Sequence, residues 1–201
     1  MNRLLDGFFT TIYFLMRLSM LHLILSLCGG VIFGVAPANA TLFYLYGQHK
    51  REIQSYQLQE AWTYYKKQFL PSNVVFAACL VGGLLLISGF WLLLQFSPSI
   101  WTLLGMICEC LMLSYLFMLY VSFLKLQSHY EFSLKTGIKL AAISVFVSWK
   151  VVFKVLGGSL ICGLLLYKLP LVLVVFLPII WLLFIYDVTE PLHQKVEEQY
   201  Q

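Results

Sequence analysis

Three polar side chains lie inside apolar stretches of this 201-residue chain and could do chemistry there: Glu109, His22 and Asn39. Glu109 is the only acidic residue deep in an apolar run. A carboxylate at membrane depth is costly and usually faces a bundle interior or water, so a functional role is its default expectation. The plainer reading is a protonated or hydrogen-bonded acid that pairs locally. His22 is the other titratable group in such a run, and it could partner Glu109. Asn39 and Thr41 follow Pro37, where a broken helix lining a solute site would offer polar groups.

The remaining reactive residue types point away from catalysis. Cys28, Cys79, Cys108, Cys110 and Cys162 all sit in apolar runs, with no CxxC pair and no Cys–His cluster at zinc spacing. Cys108 and Cys110 project about 200° apart on a helix and cannot share a metal. Small apolar packing residues are the expected role for all five. HExxH, GxSxG, P-loop and strand–GxGxxG patterns are absent. No two carboxylates share an apolar run, which argues against an acid–base pair in the bilayer. The expectation is therefore no catalytic residue, no metal, no cofactor and no enzyme activity.

Composition says what must position these side chains. Hydrophobic residues make up 61% of the chain and charged residues 11%, against about 25% in a soluble domain. Mean hydropathy is +0.85. A soluble protein of this size would lack the polar residues to cover its surface. The expected fold class is an all-α membrane protein forming one integral membrane domain over residues 1–201, with the lipid bilayer as its first partner. About five transmembrane helices are expected, over 18–36, 73–94, 100–124, 151–167 and 170–186. Two amphipathic interfacial helices are expected near 53–69 and 130–149. The net charge of +4 is too small to argue for nucleic acid, and no nucleic-acid partner is expected.

In the first span Gly30, Gly34 and Ala38 recur every four residues, and Pro37 should kink the helix. Such a face, nearly free of side chain, lets another backbone approach and predicts a helix-packing motif. Ala38-Asn39-Ala40 imitates a signal-peptidase site. The apolar core before it is longer than a signal h-region, and cleavage would leave Lys50, Arg51, Lys66 and Lys67 outside, so the expectation is no cleavage.

Leu58, Ala61, Trp62, Tyr65 and Phe69 share one helical face of the first polar connection. Trp62 and Tyr65 would lie at headgroup depth, with Lys66 and Lys67 meeting anionic lipid. The same helix could instead dock a protein. Leu134, Ile138, Ala142, Val145 and Trp149 give the second segment its apolar face. Gln95 to Ser99 is an uncharged turn bracketed by Trp91 and Trp101 as interfacial anchors. Gly157, Gly158 and Gly163 predict close packing in the fourth span, and Pro178 interrupts the fifth.

Lys50, Arg51, Lys66, Lys67, Lys125, Lys135, Lys139, Lys150, Lys154 and Lys195 fall on one side of the five-span plan. Only Arg3, Arg17 and Lys168 fall on the other. The bias places the C-terminus in the cytoplasm and the N-terminus outside.

Two motifs carry a resemblance. Gly34-Val35-Ala36-Pro37-Ala38-Asn39-Ala40-Thr41-Leu42-Phe43 follows a Phe-rich segment and first span, and Trp62, Tyr65, Lys66, Phe69 and Asn73 follow at the right separation. In these the chain resembles the YesL-like family of bacterial integral membrane proteins, whose activity is unassigned. Thr41 stands where the family tends to have Ala. The resemblance implies a bacterial cell-membrane location and a link to carbohydrate uptake, often beside sugar ABC transporters. It implies no catalytic residue. The expected function is an accessory or interaction protein linked to carbohydrate uptake or its regulation, with a sugar ABC transporter permease or ATPase, or a second copy of the chain, as partner. The alternative is a small-solute transporter or channel with a polar site around Glu109, His22 and Asn39.

Overall fold

The computed structural model describes residues 2–50, 52, 55–130, 133–147, 149–168 and 176–190. Seven helices and no strand lie among the described residues: α1 (Asn2–Cys28), α2 (Ile32–His49), α3 (Leu58–Leu93), α4 (Ile100–His129), α5 (Leu134–Val147), α6 (Trp149–Lys168) and α7 (Leu177–Val188). Phe9–Cys28, Leu58–Leu93 and Ile100–His129 are each long and apolar enough to cross a membrane. A fourth crossing results if α5 and α6, bent by 94° at their junction, form one broken span. The all-α membrane class expected from composition holds.

The single span expected over 18–36 is instead the end of α1, a tight turn and the start of α2. Gly30 takes φ 72° and Val31 φ 63°. Val31 is the centre of a γ-turn in which the Ile32 N–H donates to the Gly30 carbonyl at 2.8 Å. Antiparallel pairing follows: Ser26 meets Gly34, His22 meets Asn39 and Phe14 meets Tyr46. The start of α1 therefore lies at the same end as Lys50. The expectation of an N-terminus across the membrane from Lys50 loses its basis, because it rested on an unbroken first span. Hydropathy alone cannot see this break, since Gly29, Gly30 and Val31 are themselves apolar or neutral.

The amphipathic segment at 53–69 and the span at 73–94 are also not separate. Residues 53 and 54 lie outside the described residues, and from Leu58 onward one 36-residue helix runs through Pro71 to Leu93. At about 54 Å it exceeds the ~30 Å hydrocarbon core, so one helix serves both roles. Its partner α4 starts at a capping box made by Ser99 and Thr102, and the two helices pair antiparallel from Leu93–Gly105 through Phe76–Tyr120. Trp91 and Trp101 flank the turn, 66% and 78% exposed, as interfacial anchors should be.

Within the second expected amphipathic segment Leu134–Val147 form α5, whereas Trp149, expected on its apolar face, opens α6; residues 131, 132 and 148 lie outside the described residues. The fourth expected span lies within α6. Residues 170–175 of the fifth are outside the described residues, and Pro178 stands in the first turn of α7. There its missing N–H would have had no helical partner. Gly158 packs against Phe184, and Trp181 Nε1 donates to Ser159 Oγ at 3.0 Å, joining α6 to α7.

The core gathers on α2, whose residues from Ala36 to Phe43 are all buried. Buried residues of α3 lie between Ala61 and Val75, and those of α4 between Met118 and Ser128. Beyond them Leu84, Leu85, Leu103 and Leu104 on the α3–α4 hairpin are more than half exposed. A patch of that extent is untenable in water and suited to lipid.

Candidate functional site

The structure joins two of the three intramembrane polar residues and separates the third. His22 Nε2 lies 2.9 Å from Asn39 Oδ1, and Asn39 Nδ2 donates to the Tyr120 hydroxyl at 3.4 Å. Antiparallel α1–α2 pairing brings His22 to Asn39, and α4 closes over them. Thr41 turns its hydroxyl back to the Pro37 carbonyl at 2.7 Å, so its proton is already donated within α2. Glu109 precedes Tyr120 by three helical turns of α4, about 16 Å along the axis. It packs instead on Gly89, where an added Cβ would lie 2.3 Å from Oε1. Its Oε2 is buried without a hydrogen-bond partner among the described residues. The missing side chain at Gly89 makes the room for this carboxyl.

The packing motif is divided as well. Gly34 and Ala38 are buried, and a Cβ on Gly34 would stand 2.0 Å from the Ser26 carbonyl oxygen. Gly30 is exposed, with nothing within 4 Å of where a Cβ would stand, and serves the turn. Pro37 is buried within α2. On α3 the expected single face splits. Ala61 and Tyr65 are buried, whereas Trp62 and Phe69 are exposed. The Trp62 ring stacks on Tyr65 at 5.5 Å, and Lys66 Nζ lies 5.1 Å from the centre of the Trp62 ring. The five cysteines are free thiols. Among the described residues no group of three His, Cys, Asp or Glu side chains is placed to hold a metal.

Two features at the Lys50 end escaped the sequence reading. The first is a latch. Lys125 is fully buried, pairs with Glu190, donates to the Tyr186 carbonyl at 3.4 Å and stands 3.1 Å over the Tyr186 ring. The Tyr186 hydroxyl in turn meets His129 Nε2 at 2.9 Å, and Tyr46 donates to Asp187 at 3.3 Å. Together they tie the ends of α2, α4 and α7. Nearby the Arg17 guanidinium donates to the Tyr56 carbonyl, and the Tyr56 hydroxyl donates to the Lys50 carbonyl. Burial raises the Tyr56 phenol above its ordinary pKa, which keeps it a neutral donor.

The second is a cleft of about 520 Å³ between the end of α2, the start of α3 and the end of α4. From α2 come Tyr44 and Gln48. From the start of α3 and the residue before it come Gln57, Gln59, Glu60, Thr63, Tyr64, Lys67 and Gln68. The end of α4 supplies Gln127, Ser128, His129 and Tyr130. Tyr44 and Tyr64 stack at 4.1 Å with planes 8° apart. Gln127 donates to Gln68 and accepts from Ser72 at 3.4 Å, while the Tyr64 hydroxyl donates to the Gln127 carbonyl at 2.9 Å. Five of the thirteen lining residues are glutamines, and four of them, Gln48, Gln57, Gln59 and Gln68, are the signal the sequence held in the run from Gln48 to Gln68.

Long apolar helices, a lipid-facing hairpin and a polar recess at one end define an all-α integral membrane protein. Residues 15–90 match the model of the family described as "Protein of unknown function, DUF624", to which YesL-like proteins belong. The resemblance read from the two motifs is shown over that segment. No curated protein and no solved structure matches the chain.

Proposed function

We propose that the protein is a membrane accessory or interaction protein, without catalytic activity of its own, that supports carbohydrate uptake or its regulation in the bacterial cell membrane. Its partner would be the permease or ATPase of a sugar ABC transporter. One observation carries this over a transport path. His22 and Asn39 are held by each other and by Tyr120, Glu109 stands about 16 Å from Tyr120 along α4, and the clefts of about 520, 470 and 320 Å³ are lined without His22, Asn39 or Glu109. Open surface of mixed character lies on the first turns of α3, where Trp62, Lys66 and Phe69 are exposed. The link to sugar uptake comes from the YesL-like resemblance.

The positive-inside bias puts the Lys50 end in the cytoplasm. The start of α1 pairs to that end through the α1–α2 hairpin, and the end of α7 reaches it through Lys125 and Glu190. In this reading both lie in the cytoplasm.

The test is purification of tagged protein from its native host in mild detergent, with mass spectrometry of what accompanies it. Near-equal recovery of a sugar permease or its ATPase is the expected result. Recovery of the protein alone, or only as its own oligomer, overturns the reading. A second reading, a small-solute transporter working through Glu109, is favoured by the unpartnered Oε2 in the α3–α4 seam. Flux into liposomes that is lost in Glu109→Gln would establish it.

A further inference from the structure

We infer that the cleft between α2, α3 and the end of α4 binds a small, uncharged, hydroxyl-rich molecule. Its volume of about 520 Å³ lies within the ~300–1,000 Å³ range of ligand pockets. The inference rests on the chemistry of the recess and not on the accessory reading. Its experiment uses purified protein, so either can fail alone.

The recess has a fixed floor and an unengaged rim. On the floor the Gln127 amide bridges Gln68 and Ser72, and Tyr64 is anchored on the Gln127 carbonyl. These groups are oriented before any ligand arrives, which lowers the ordering cost of binding. On the rim Gln48, Gln57 and Gln59 are exposed, and their amides make no hydrogen bond among the described residues. Each carries a donor and an acceptor side by side. A hydroxyl also both donates and accepts, so neighbouring hydroxyls on a ring can satisfy such amides in pairs. The stacked Tyr44–Tyr64 pair adds an aromatic surface whose electron-rich face suits the C–H side of a ring polyol.

Charge argues for a neutral ligand. Glu60 lines the recess and is held by His49 at 2.9 Å, with Lys67 as the ammonium on the wall. An anion would meet the Glu60 carboxylate, and a cation would meet Lys67. Neither sign has the one-sided surroundings that recognition of a charged group requires. Exposed glutamines at the start of a surface helix are commonplace. Around a recess with an ordered amide floor they form a binding surface.

The experiment is isothermal titration on the full chain in lipid nanodiscs, with glucose, maltose and myo-inositol as neutral probes and glucose 6-phosphate and glucosamine as charged analogues. At least one neutral probe is expected to bind saturably, with the matching charged analogue about tenfold weaker or more. Gln57→Leu and Gln59→Leu together are expected to weaken that probe at least about tenfold. Because both side chains are exposed, the thermal midpoint should be unchanged. Absence of saturable binding by all three neutral probes overturns the assignment. So does equal or tighter binding of the charged analogues, or an affinity indifferent to the two leucines.

Discussion

Gly34→Ala and Gly30→Ala separate a helical hairpin from a continuous span. In an unbroken helix the two glycines share one face, and the two substitutions should behave alike. In the hairpin they differ in kind. A Cβ on Gly34 would lie 2.0 Å from the Ser26 carbonyl oxygen, 2.7 Å from its carbon and 2.9 Å from its Cα, all backbone atoms that no rotamer change can move. Real contacts begin near 3.0 Å, so α1 and α2 must part by about an ångström. Overpacking typically costs about 1–3 kcal/mol, and a backbone obstacle belongs at the upper end, about 3 kcal/mol. At Gly30 nothing lies within 4 Å, and only the φ of 72° resists a side chain, at about 1 kcal/mol. The difference of about 2 kcal/mol corresponds to about 4–8 °C in thermal midpoint for a chain of this length. Differential scanning fluorimetry of both variants in one detergent measures it. Equal shifts, or a larger loss at Gly30, would refute the hairpin argument.

Other expected outcomes test the latch, the polar contacts and the orientation. Glu190→Gln removes the carboxylate that pairs with the buried Lys125 ammonium and leaves it in contact with the Tyr186 ring and carbonyl. With Glu190 itself 42% exposed, the loss should be about 1–3 kcal/mol, whereas Lys125→Met should change stability by less than about 1 kcal/mol. Melting curves that rank the two the other way contradict this account. Asn39→Leu orphans both His22 and Tyr120 and should cost about 1–3 kcal/mol. Glu109→Gln, under the accessory reading, should leave recovery of the partner unchanged, and loss of that partner would give the carboxyl a role the reading denies it. Topology reporters placed before Asn2 and at Glu52 should report the same side of the membrane. Opposite sides would undo the antiparallel α1–α2 arrangement.

The sequence displayed membrane class, the α3–α4 hairpin and its tryptophan-flanked turn, because lipid leaves these signals undiluted. Leu84, Leu85, Leu103 and Leu104 face outward, and their hydropathy reports their surroundings directly. Helix α2 gives no such signal. It is shielded by neighbouring helices, so Ala36, Ala38, Ala40 and Thr41 are small residues chosen by backbone proximity rather than by lipid. A hydropathy window therefore joined its start to α1 across Gly29–Val31. The spacing of Gly30, Gly34 and Ala38 suggested one face, yet the turn gives Gly30 a different task. Lys125 illustrates a different limit. As the cation ending an apolar run it is visible in the sequence, but α4 continues past it to His129, and its partners Tyr186 and Glu190 are more than sixty positions away. Only tertiary structure brings them together.

The family match gives the cleft a division of labour. Tyr44, Gln48, Gln57, Gln59 and Tyr64 lie within the matched residues 15–90, while Gln127 to Tyr130 lie beyond them. The rim amides and aromatic wall thus lie inside the matched segment, and the amide that orders the floor comes from α4 outside it. The latch acts on that same end of α4: His129 on the wall bonds Tyr186, and Lys125, one turn earlier, holds Tyr186 and Glu190. Any shift of α7 that loosened Lys125 would be felt first at Gln127 and His129, and then at Gln68 and Tyr64. A ligand in the cleft and a partner gripping the end of α7 would therefore act on one element, the last two turns of α4. That is the physical condition for coupling between two sites, since each biases the same arrangement. Glu190→Gln should then weaken binding of the neutral probe, although Glu190 is not among the residues lining the cleft, and unchanged affinity in that variant would leave the latch a purely structural tie.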